Sequence, residues 1–290
     1  MLYGALEAGG TKMVLGCFDE NGNLLDRTVM PTEAPDITFP KMAAFFAEKK
    51  IDALGIGSFG PLCLNPKDPR YGAVGASPKL SWRGFNIVKA FSEALHVPVA
   101  LDTDVNAAAL AEAKLGAAKG LASCVYVTIG TGVGGGVVVD GKPIHGLMHP
   151  ELGHMLLTPD PRDPKPEGFC PYHKSCLEGL AAGPSMEKRW GLSAKELPDD
   201  HVAWEIEANY LAQMCYNVIL TLSPEKIILG GGVLQRKHIF PLIRRRTLEL
   251  LNGYIEELDG SDLSDYIVEP GLDTASGLTG SYLLALQAGA

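Results

Sequence analysis

Two cysteines and two histidines in the middle of the chain have the types and the spacing of a zinc site. Cys170, His173 and Cys176 follow a C-x2-H-x2-C pattern, and His154 lies upstream as a fourth candidate ligand. Two thiolates and two imidazoles complete a tetrahedral zinc ion and leave no open coordination position, which is the arrangement of a structural site. We therefore predict that a loop of residues 154–176 binds a structural Zn²⁺ ion.

The same residues allow other interpretations. Cys170 and Cys176 could form a disulfide or be thiols that bind nothing, and His154 could be an ordinary hydrogen-bonding residue. The other four cysteines lie among apolar residues, as expected for reduced thiols in a core. A reducing compartment disfavours the disulfide. Glu151 and Glu178 lie beside the candidate ligands, so a bound metal would also fix two carboxylates in a polar pocket.

Two glycine-rich turns lie at matched places in the two halves of the chain. Gly9 and Gly10 precede Thr11, and Gly130 and Gly132 flank Thr131. Each turn joins two predicted strands, and hairpin geometry alone would explain glycine there. Backbone N–H groups in such turns also bind phosphate oxygens. The match between the halves, with a threonine in each turn, favours phosphate binding.

A third glycine cluster, at residues 230–232, ends a predicted strand and would let a base or ribose approach the backbone. Residues 182–185 are candidates for the opposite wall, and Trp204 is a candidate to stack on the base. Two G-x-G-x-x-G matches, at 55–60 and 130–135, are followed by proline or by a strand. The dinucleotide fingerprint requires a helix at that point, so an NAD(P)-dependent enzyme is the weaker alternative.

Asp104 lies where a short predicted strand meets a helix that starts near Val105. Asp and Asn favour helix N-termini, so capping by Asp104 or Asn106 is one interpretation. The other is a carboxylate that accepts the proton of a substrate hydroxyl. The helix N-terminus would stabilise Asp104 as the anion.

The predicted elements repeat once along the chain. Each half has three strands joined by tight turns, then a helix and an apolar strand that ends in glycines. Repetition at this spacing indicates a duplicated α/β domain. We expect domains at residues 1–117 and 118–276, with a C-terminal helix at 277–290 that packs back on the first. Residues 158–168, rich in Pro, Asp and Lys, are expected to form an exposed loop.

The composition excludes several classes of protein. The net charge of −9 disfavours nucleic acid and anionic membranes as main partners. No apolar run reaches the roughly 18 residues that a membrane span needs. The N-terminus has no basic region leading into an apolar run, so we expect no signal peptide and a cytoplasmic location.

Six segments together resemble the ROK family of sugar kinases. They are EAGGTK at 7–12, TDVNAAALAE at 103–112, TIGTGVGGG at 128–136, HPELGH at 149–154, CPYHKSCLEGLAAGPS at 170–185 and ILGGGV at 228–233. The resemblance implies two actin-like (ribonuclease-H-like, hexokinase-type) domains with a cleft between them. Glu7, the HPELGH form and the C-x2-H-x2-C pattern resemble the zinc-containing bacterial fructokinases within that family.

The resemblance also implies a role for each candidate residue. Asp104 would be the catalytic base. The sugar would be bound by Asn106, Glu151, His154 and Glu178. The phosphates of ATP would meet Gly9, Gly10, Thr11, Lys12, Gly130, Thr131 and Gly132. The adenosine would contact Pro184, Gly230, Gly231 and Gly232. Mg²⁺ would bridge the phosphates, and two copies of the chain would form a homodimer.

The expected activity is therefore ATP-dependent phosphorylation of a hexose, with fructose as the expected sugar. Mannose or glucose is the alternative substrate within the family. A sugar-sensing regulator without catalysis is a third alternative. Such regulators carry a helix-turn-helix before the first glycine turn, whereas only residues 1–6 precede Glu7 here.

Overall fold

The computed structural model describes residues 1–289 and contains two five-stranded sheets joined by helices. The first half of the chain forms β1 (Leu2–Ala8), β2 (Lys12–Asp19), β3 (Leu24–Pro31), α1 (Pro35–Lys49), β4 (Ala53–Ser58), α2 (Ile87–Leu95), β5 (Val99–Thr103) and α3 (Asp104–Leu115). The second half forms β6 (Ser123–Ile129), β7 (Val133–Val139), β8 (Lys142–Pro143), α4 (Leu177–Ala181), α5 (Gly183–Trp190), α6 (Ala203–Leu222), β9 (Ile227–Gly230), α7 (Ile239–Leu251), β10 (Ile267–Val268) and α8 (Ser276–Ala288).

The two sheets have the same strand order, as the sequence repeat predicts. The first runs β3-β2-β1-β4-β5, and the second, in equivalent positions, runs β8-β7-β6-β9-β10. In each sheet the first three strands pair antiparallel and the other two add in parallel. Because each glycine turn joins the central strand to its antiparallel neighbour, the two turns lie at equivalent places in the two sheets.

Each sheet has its own apolar core. The first core packs β1, β2 and β4 against α1 and α2, with Phe46, Trp82 and Phe91 fully buried. The second packs β6, β7 and β9 against α4 to α7. The longest helix, α6, is an interior element of this second core. None of the helices within residues 1–289 is both long enough and apolar enough to cross a membrane.

The last helix of each half packs on the sheet of the other half. Helix α8 follows the second sheet but contacts β1 and β4 of the first, and α3 follows the first sheet but contacts β6 and β7 of the second. Residues 276–288 thus pack on the first sheet, and Ala290, the last residue of the expected helix, lies outside the described residues. Helices α3 and α8 also contact each other.

Glycines allow these helices to approach at backbone distance. A β-carbon on Gly55 of β4 would lie 1.9 Å from the Ser281 carbonyl oxygen of α8. One on Gly136 of β7 would lie 2.2 Å from the Val105 carbonyl oxygen of α3. One on Gly280 would lie 1.9 Å from the carbonyl oxygen of Ala107. No side chain fits at these contacts, so the glycines set the spacing of the sheets and helices.

The segment 158–168 is less exposed than its composition predicts. Asp160 and Asp163 are buried. Asp163 accepts a 2.6 Å hydrogen bond from the Tyr210 hydroxyl and pairs with the buried Arg189 at 2.8 Å. The expectation of an exposed loop is therefore wrong for these two residues. Asp163 pairs with Arg189 of α5, and Asp160 pairs with Arg162 and accepts a hydrogen bond from Asn209 of α6, so polar partners compensate their burial.

We predict that Gly280→Ala destabilises the protein although it places a better helix former inside α8. Alanine would ordinarily stabilise a helix interior by up to about 1 kcal/mol relative to glycine. Here the new methyl group would overlap the Ala107 carbonyl oxygen, and overpacking costs about 1–3 kcal/mol. Urea unfolding measures the change.

Gly146→Ala is the control, because a β-carbon there meets nothing within 4 Å and the backbone φ is not positive. If the unfolding free energy of Gly280→Ala equalled or exceeded that of the native protein, helices α3 and α8 would not pack this closely.

Candidate active site

The four predicted zinc ligands come together. One ligand atom from each of His154, Cys170, His173 and Cys176 lies within 4.8 Å of the other three. His154 Nδ1 is 3.6 Å from Cys176 Sγ and 3.9 Å from Cys170 Sγ, and His173 Nδ1 is 3.9 Å from Cys170 Sγ. Ordinary Zn–S and Zn–N bond lengths in a tetrahedron place sulfur and nitrogen about 3.6 Å apart. The cluster therefore fits a Zn²⁺ ion.

The backbone around this zinc cluster is held tightly. Cys170 and Lys174 exchange backbone hydrogen bonds across a short turn, in which Lys174 has φ 53°. A β-carbon on Gly179 would lie 1.7 Å from the Lys174 carbonyl oxygen, and one on Gly153 would lie 1.9 Å from that of Val133. The loop is thus fixed at both ends, by β7 before His154 and by α4 after Cys176.

Glu178 is positioned directly by this arrangement. It lies in the first turn of α4, next to the Cys176 cap, and accepts a 3.1 Å hydrogen bond from the Val133 amide. A β-carbon on Gly132 would lie 2.7 Å from Glu178 Oε2. Glycine at 132 therefore allows the carboxylate to reach the second glycine turn.

Glu151, Glu178 and Asp104 form one acidic group. Partial burial, followed by the charges of Glu178 and Asp104, raises the pKa of Glu151 to about 7. Glu151 comes from the loop before the zinc cluster, Glu178 from α4 and Asp104 from α3. The structure thus brings together three carboxylates that are distant in sequence.

Asp104 is the first residue of α3 and is not its cap. The Thr103 hydroxyl caps the helix by accepting a 3.1 Å hydrogen bond from the Asn106 amide, so the capping interpretation of Asp104 and Asn106 is wrong. Asp104 Oδ1 accepts a 2.9 Å hydrogen bond from the adjacent Val105 amide. Burial raises the pKa of Asp104 to about 6 despite backbone hydrogen bonds that lower it. The expected stabilisation of the anion is outweighed by the loss of solvent.

Asn106 is held by residues to which the sequence analysis gave no role. Its Nδ2 donates a 2.8 Å hydrogen bond to the buried Asp102, which also pairs with His145 Nε2 at 3.0 Å. Asn106 Oδ1 is buried and has no hydrogen-bond partner within residues 1–289. In the sequence, the signal for this polar group was the pair of aspartates, Asp102 and Asp104, at the end of β5.

His149 connects the two halves beside Glu151. Its Nε2 accepts a 3.1 Å hydrogen bond from the Leu62 amide, so its Nδ1 carries the proton when the ring is neutral. Nδ1 lies 3.5 Å from Glu151 Oε1. Burial lowers the pKa of His149, which favours the neutral ring. His149 is the first residue of the HPELGH segment, and its contact with Leu62 required the tertiary fold.

The predicted nucleotide residues of the second half also gather at one place. The Gly183 amide, next to Pro184, donates a 2.8 Å hydrogen bond to the Gly130 carbonyl oxygen. A β-carbon on Gly231, which has φ +98°, would lie 2.3 Å from the Ile129 carbonyl oxygen. The 130–132 turn, Pro184 and the 230–232 segment therefore lie together at the ends of β6 and β9.

Trp204 lies elsewhere. It is 1% exposed, and its ring packs in the second core while Nε1 donates to the Pro198 carbonyl oxygen at 2.8 Å. The expectation that it stacks on a base is wrong, since its apolar surface is covered by protein.

In the first half, the Gly9–Thr11 turn is fixed by two hydrogen bonds. The Gly9 amide donates to the Lys12 carbonyl oxygen at 3.0 Å, and Thr32 Oγ1 donates to the Gly9 carbonyl oxygen at 2.7 Å. Burial and then the charge of Asp104 raise the pKa of Glu7, at the end of β1, while Lys12 opposes the rise. The first glycine turn therefore lies near the catalytic candidate Asp104.

A family model described as the ROK family matches residues 3–288. A fructokinase from Pediococcus pentosaceus is 45% identical over 288 residues, which cover 99% of this chain and 99% of that protein. A fructokinase from Zymomonas mobilis is 44% identical over 295 residues, with coverages of 99% and 97%. A ROK hexokinase from Thermus thermophilus has a structure similar at a TM-score of 0.80 and 30% identity, with coverages of 99% and 98%. The chain belongs to the ROK family.

This ROK protein therefore has the two-domain, actin-like α/β fold predicted from its sequence. The repeated strand order and the similarity to the ROK hexokinase over nearly the full length both support that assignment. The predicted resemblance to fructokinases within the ROK family is also confirmed by two relatives with that name.

We predict that Cys176→Ser removes zinc from this ROK protein. Serine oxygen replaces one of two soft thiolate ligands, so we expect zinc content to fall from about one ion per chain to a small fraction of that. Elemental analysis after dialysis against a weak chelator measures it. Cys63→Ser is the control, because Cys63 is a half-buried free thiol outside the cluster. Equal zinc content in both variants would contradict the assignment.

Proposed function

We propose that this protein is an ATP-dependent fructokinase, which converts ATP and D-fructose to ADP and D-fructose 6-phosphate. The observation that carries the proposal is the convergence of Asp104, Glu151 and Glu178 beside the zinc cluster. Fructokinases at 44% and 45% identity over nearly the whole chain support the choice of sugar.

Asp104 is the proposed catalytic base. Phosphoryl transfer needs positioning, charge neutralisation and a group that accepts the proton of the attacking hydroxyl. With a pKa of about 6, Asp104 is mostly ionised at neutral pH and is a stronger base than an ordinary aspartate. Its position at the start of α3, between the two sheets, suits a substrate bound between the halves.

The proposed sugar site consists of Glu151, Glu178, His154 and Asn106. A carboxylate accepts hydrogen bonds from two neighbouring hydroxyl groups, which suits a hexose. His154 directs Nδ1 toward the cysteine sulfurs, which leaves Nε2 for a sugar hydroxyl. The unpartnered Asn106 Oδ1 supports a further polar contact with the ligand.

The glycine turns and the adenosine wall form the proposed ATP site. The phosphates would meet Gly9, Gly10, Thr11, Lys12, Gly130, Thr131 and Gly132. The adenosine would meet Pro184, Gly230, Gly231 and Gly232. Glu7, at the end of β1, offers the carboxylate oxygens that Mg²⁺ prefers, and bound Mg²⁺ would neutralise phosphate charge.

We further propose that residues 1–117 and 118–276 are the two domains, that they close over the substrates, and that two copies associate as a homodimer. Closure excludes water from the transferred phosphoryl group. Mannose and glucose remain the competing substrates, and kcat/KM for fructose against both sugars tests the choice. A higher value for either competitor would replace fructose in the proposal.

We predict that Asp104→Asn lowers kcat by about 10²- to 10⁴-fold, the usual contribution of a general base. Asparagine keeps the shape but cannot accept the hydroxyl proton, so KM for fructose changes little. Coupled measurement of ADP release gives both constants. Asp36→Asn is the matched control, because Asp36 lies in the first turn of α1 as Asp104 does in α3. Full activity of Asp104→Asn would reject the mechanism.

We predict that kcat/KM falls on the acid side of neutrality. Asp104 acts as the carboxylate, so protonation removes activity as the pH drops through its pKa of about 6. Glu151, with a pKa of about 7, titrates in the same group, and the midpoint of the fall belongs to the coupled set. A pH–rate profile, with circular dichroism to verify folding, measures it. Activity that is constant throughout this range would contradict these ionisations.

A further inference from the structure

Lys79 reaches over the first glycine turn. It lies in the long connection between β4 and α2, just before a short 3-10 turn at Leu80–Trp82. Its Cε is 3.7 Å from the position that a β-carbon would occupy on Gly10. Apart from Gly10 and its two chain neighbours, no other residue among 1–289 has a heavy atom within 4 Å of that position. Lys79 belongs to none of the motifs identified in the sequence.

The backbone that carries Lys79 is fixed on three sides. The Lys79 amide donates a 3.1 Å hydrogen bond to the hydroxyl of Ser77, which is fully buried. Arg83 Nε donates to the Ser77 carbonyl oxygen at 2.8 Å, and buried Trp82 donates from Nε1 to the Glu33 carbonyl oxygen at 2.8 Å. The backbone of Lys79 is therefore fixed, while its flexible side chain extends toward the Gly9–Thr11 turn.

The charge of Lys79 is not neutralised by the protein. Among residues 1–289, no carboxylate forms an ion pair with it. Glu7, which lies just before the first glycine turn, and the neighbouring Asp104 are both acidic. The phosphates of ATP add further negative charge, so a free ammonium group at the phosphate turn has a clear electrostatic use.

We propose that Lys79 is a further catalytic residue, whose ammonium group contacts the terminal phosphoryl group of ATP at the Gly10 turn. This inference rests on the proposed function. In the reaction, the fructose O6 forms a bond to the terminal phosphorus while the bond to the bridging oxygen of ADP breaks. The hydroxyl proton passes to Asp104, and ADP leaves with the electron pair. Lys79 stabilises the charge on the phosphoryl oxygens during this transfer.

Lys79→Gln tests the proposal, with Lys67→Gln as the matched control. Lys67 is an exposed lysine in the same connection and has no ion pair with any residue among 1–289. We expect Lys79→Gln to lower kcat/KM for ATP by about 10- to 100-fold and to leave KM for fructose within about twofold. Lys79→Arg, which keeps the charge, should recover part of the loss.

Nucleotide binding without sugar gives a second readout. Calorimetric titration with AMPPNP and with ADP should show that Lys79→Gln weakens AMPPNP by about tenfold more than ADP, because only AMPPNP has the terminal group. Unchanged relative affinities and unchanged kcat/KM would overturn the role of Lys79. Failure of the native protein to phosphorylate any hexose would instead overturn the proposed function, and the ratio of affinities would still report on Lys79.

Discussion

The backbone contact of helix α3 with both sheets fixes the geometry of the whole site. Ala107 of α3 packs against Gly57 of β4, and a β-carbon on Gly57 would lie 2.9 Å from the Ala107 methyl group. Val105 of α3 packs against Gly136 of β7. Asp104 begins the same helix, so its distance from both glycine turns is set by these contacts. At the other end of α3, the buried Glu112 accepts hydrogen bonds from Ala117, Gly271, Leu272 and Ser276. The two segments that connect the halves, 116–122 and 269–275, therefore both donate hydrogen bonds to the Glu112 carboxylate.

The sequence predicted those parts of the structure that depend on local chemistry. The hairpin glycines, the strand repeat and the C-x2-H-x2-C spacing each follow from short-range geometry, and the structure contains all three. The exchange of α3 and α8 between the sheets depends on contacts such as Gly280 with Ala107, which are far apart in sequence. Burial of Asp163 depends likewise on Arg189 and Tyr210. Composition alone describes such an aspartate as exposed, because it does not include the partner.

The pKa of Asp104 shifts in the direction opposite to the one predicted from its place at a helix N-terminus. A helix N-terminus favours an anion by at most about 2 kcal/mol. Removal of a carboxylate from water opposes ionisation more strongly when no cation pairs with it. Burial outweighs the backbone hydrogen bonds of Asp104 and raises its pKa to about 6. The same reasoning applies to Glu151, where two further carboxylates add repulsion. Carboxylates this close repel one another, and hydroxyl donors of a ligand or a cation would relieve that repulsion.

A zinc ion held by the Cys/His cluster would stabilise the loop around these acids, where regular secondary structure is scarce. Between β8 and α4 the chain has only one short 3-10 turn, Leu152–His154, and a few isolated bridges. Leu157 packs into the second core, but Leu147 and Leu156 are largely exposed. Mutual repulsion of Glu151, Glu178 and Asp104 would therefore open such a loop unless other bonds resisted it. Metal–ligand bonds at His154 and Cys176 would lie three and two residues from Glu151 and Glu178. Zinc can thus hold the acids at a separation that their own charges oppose, and the sugar hydroxyls then meet a site that needs little rearrangement.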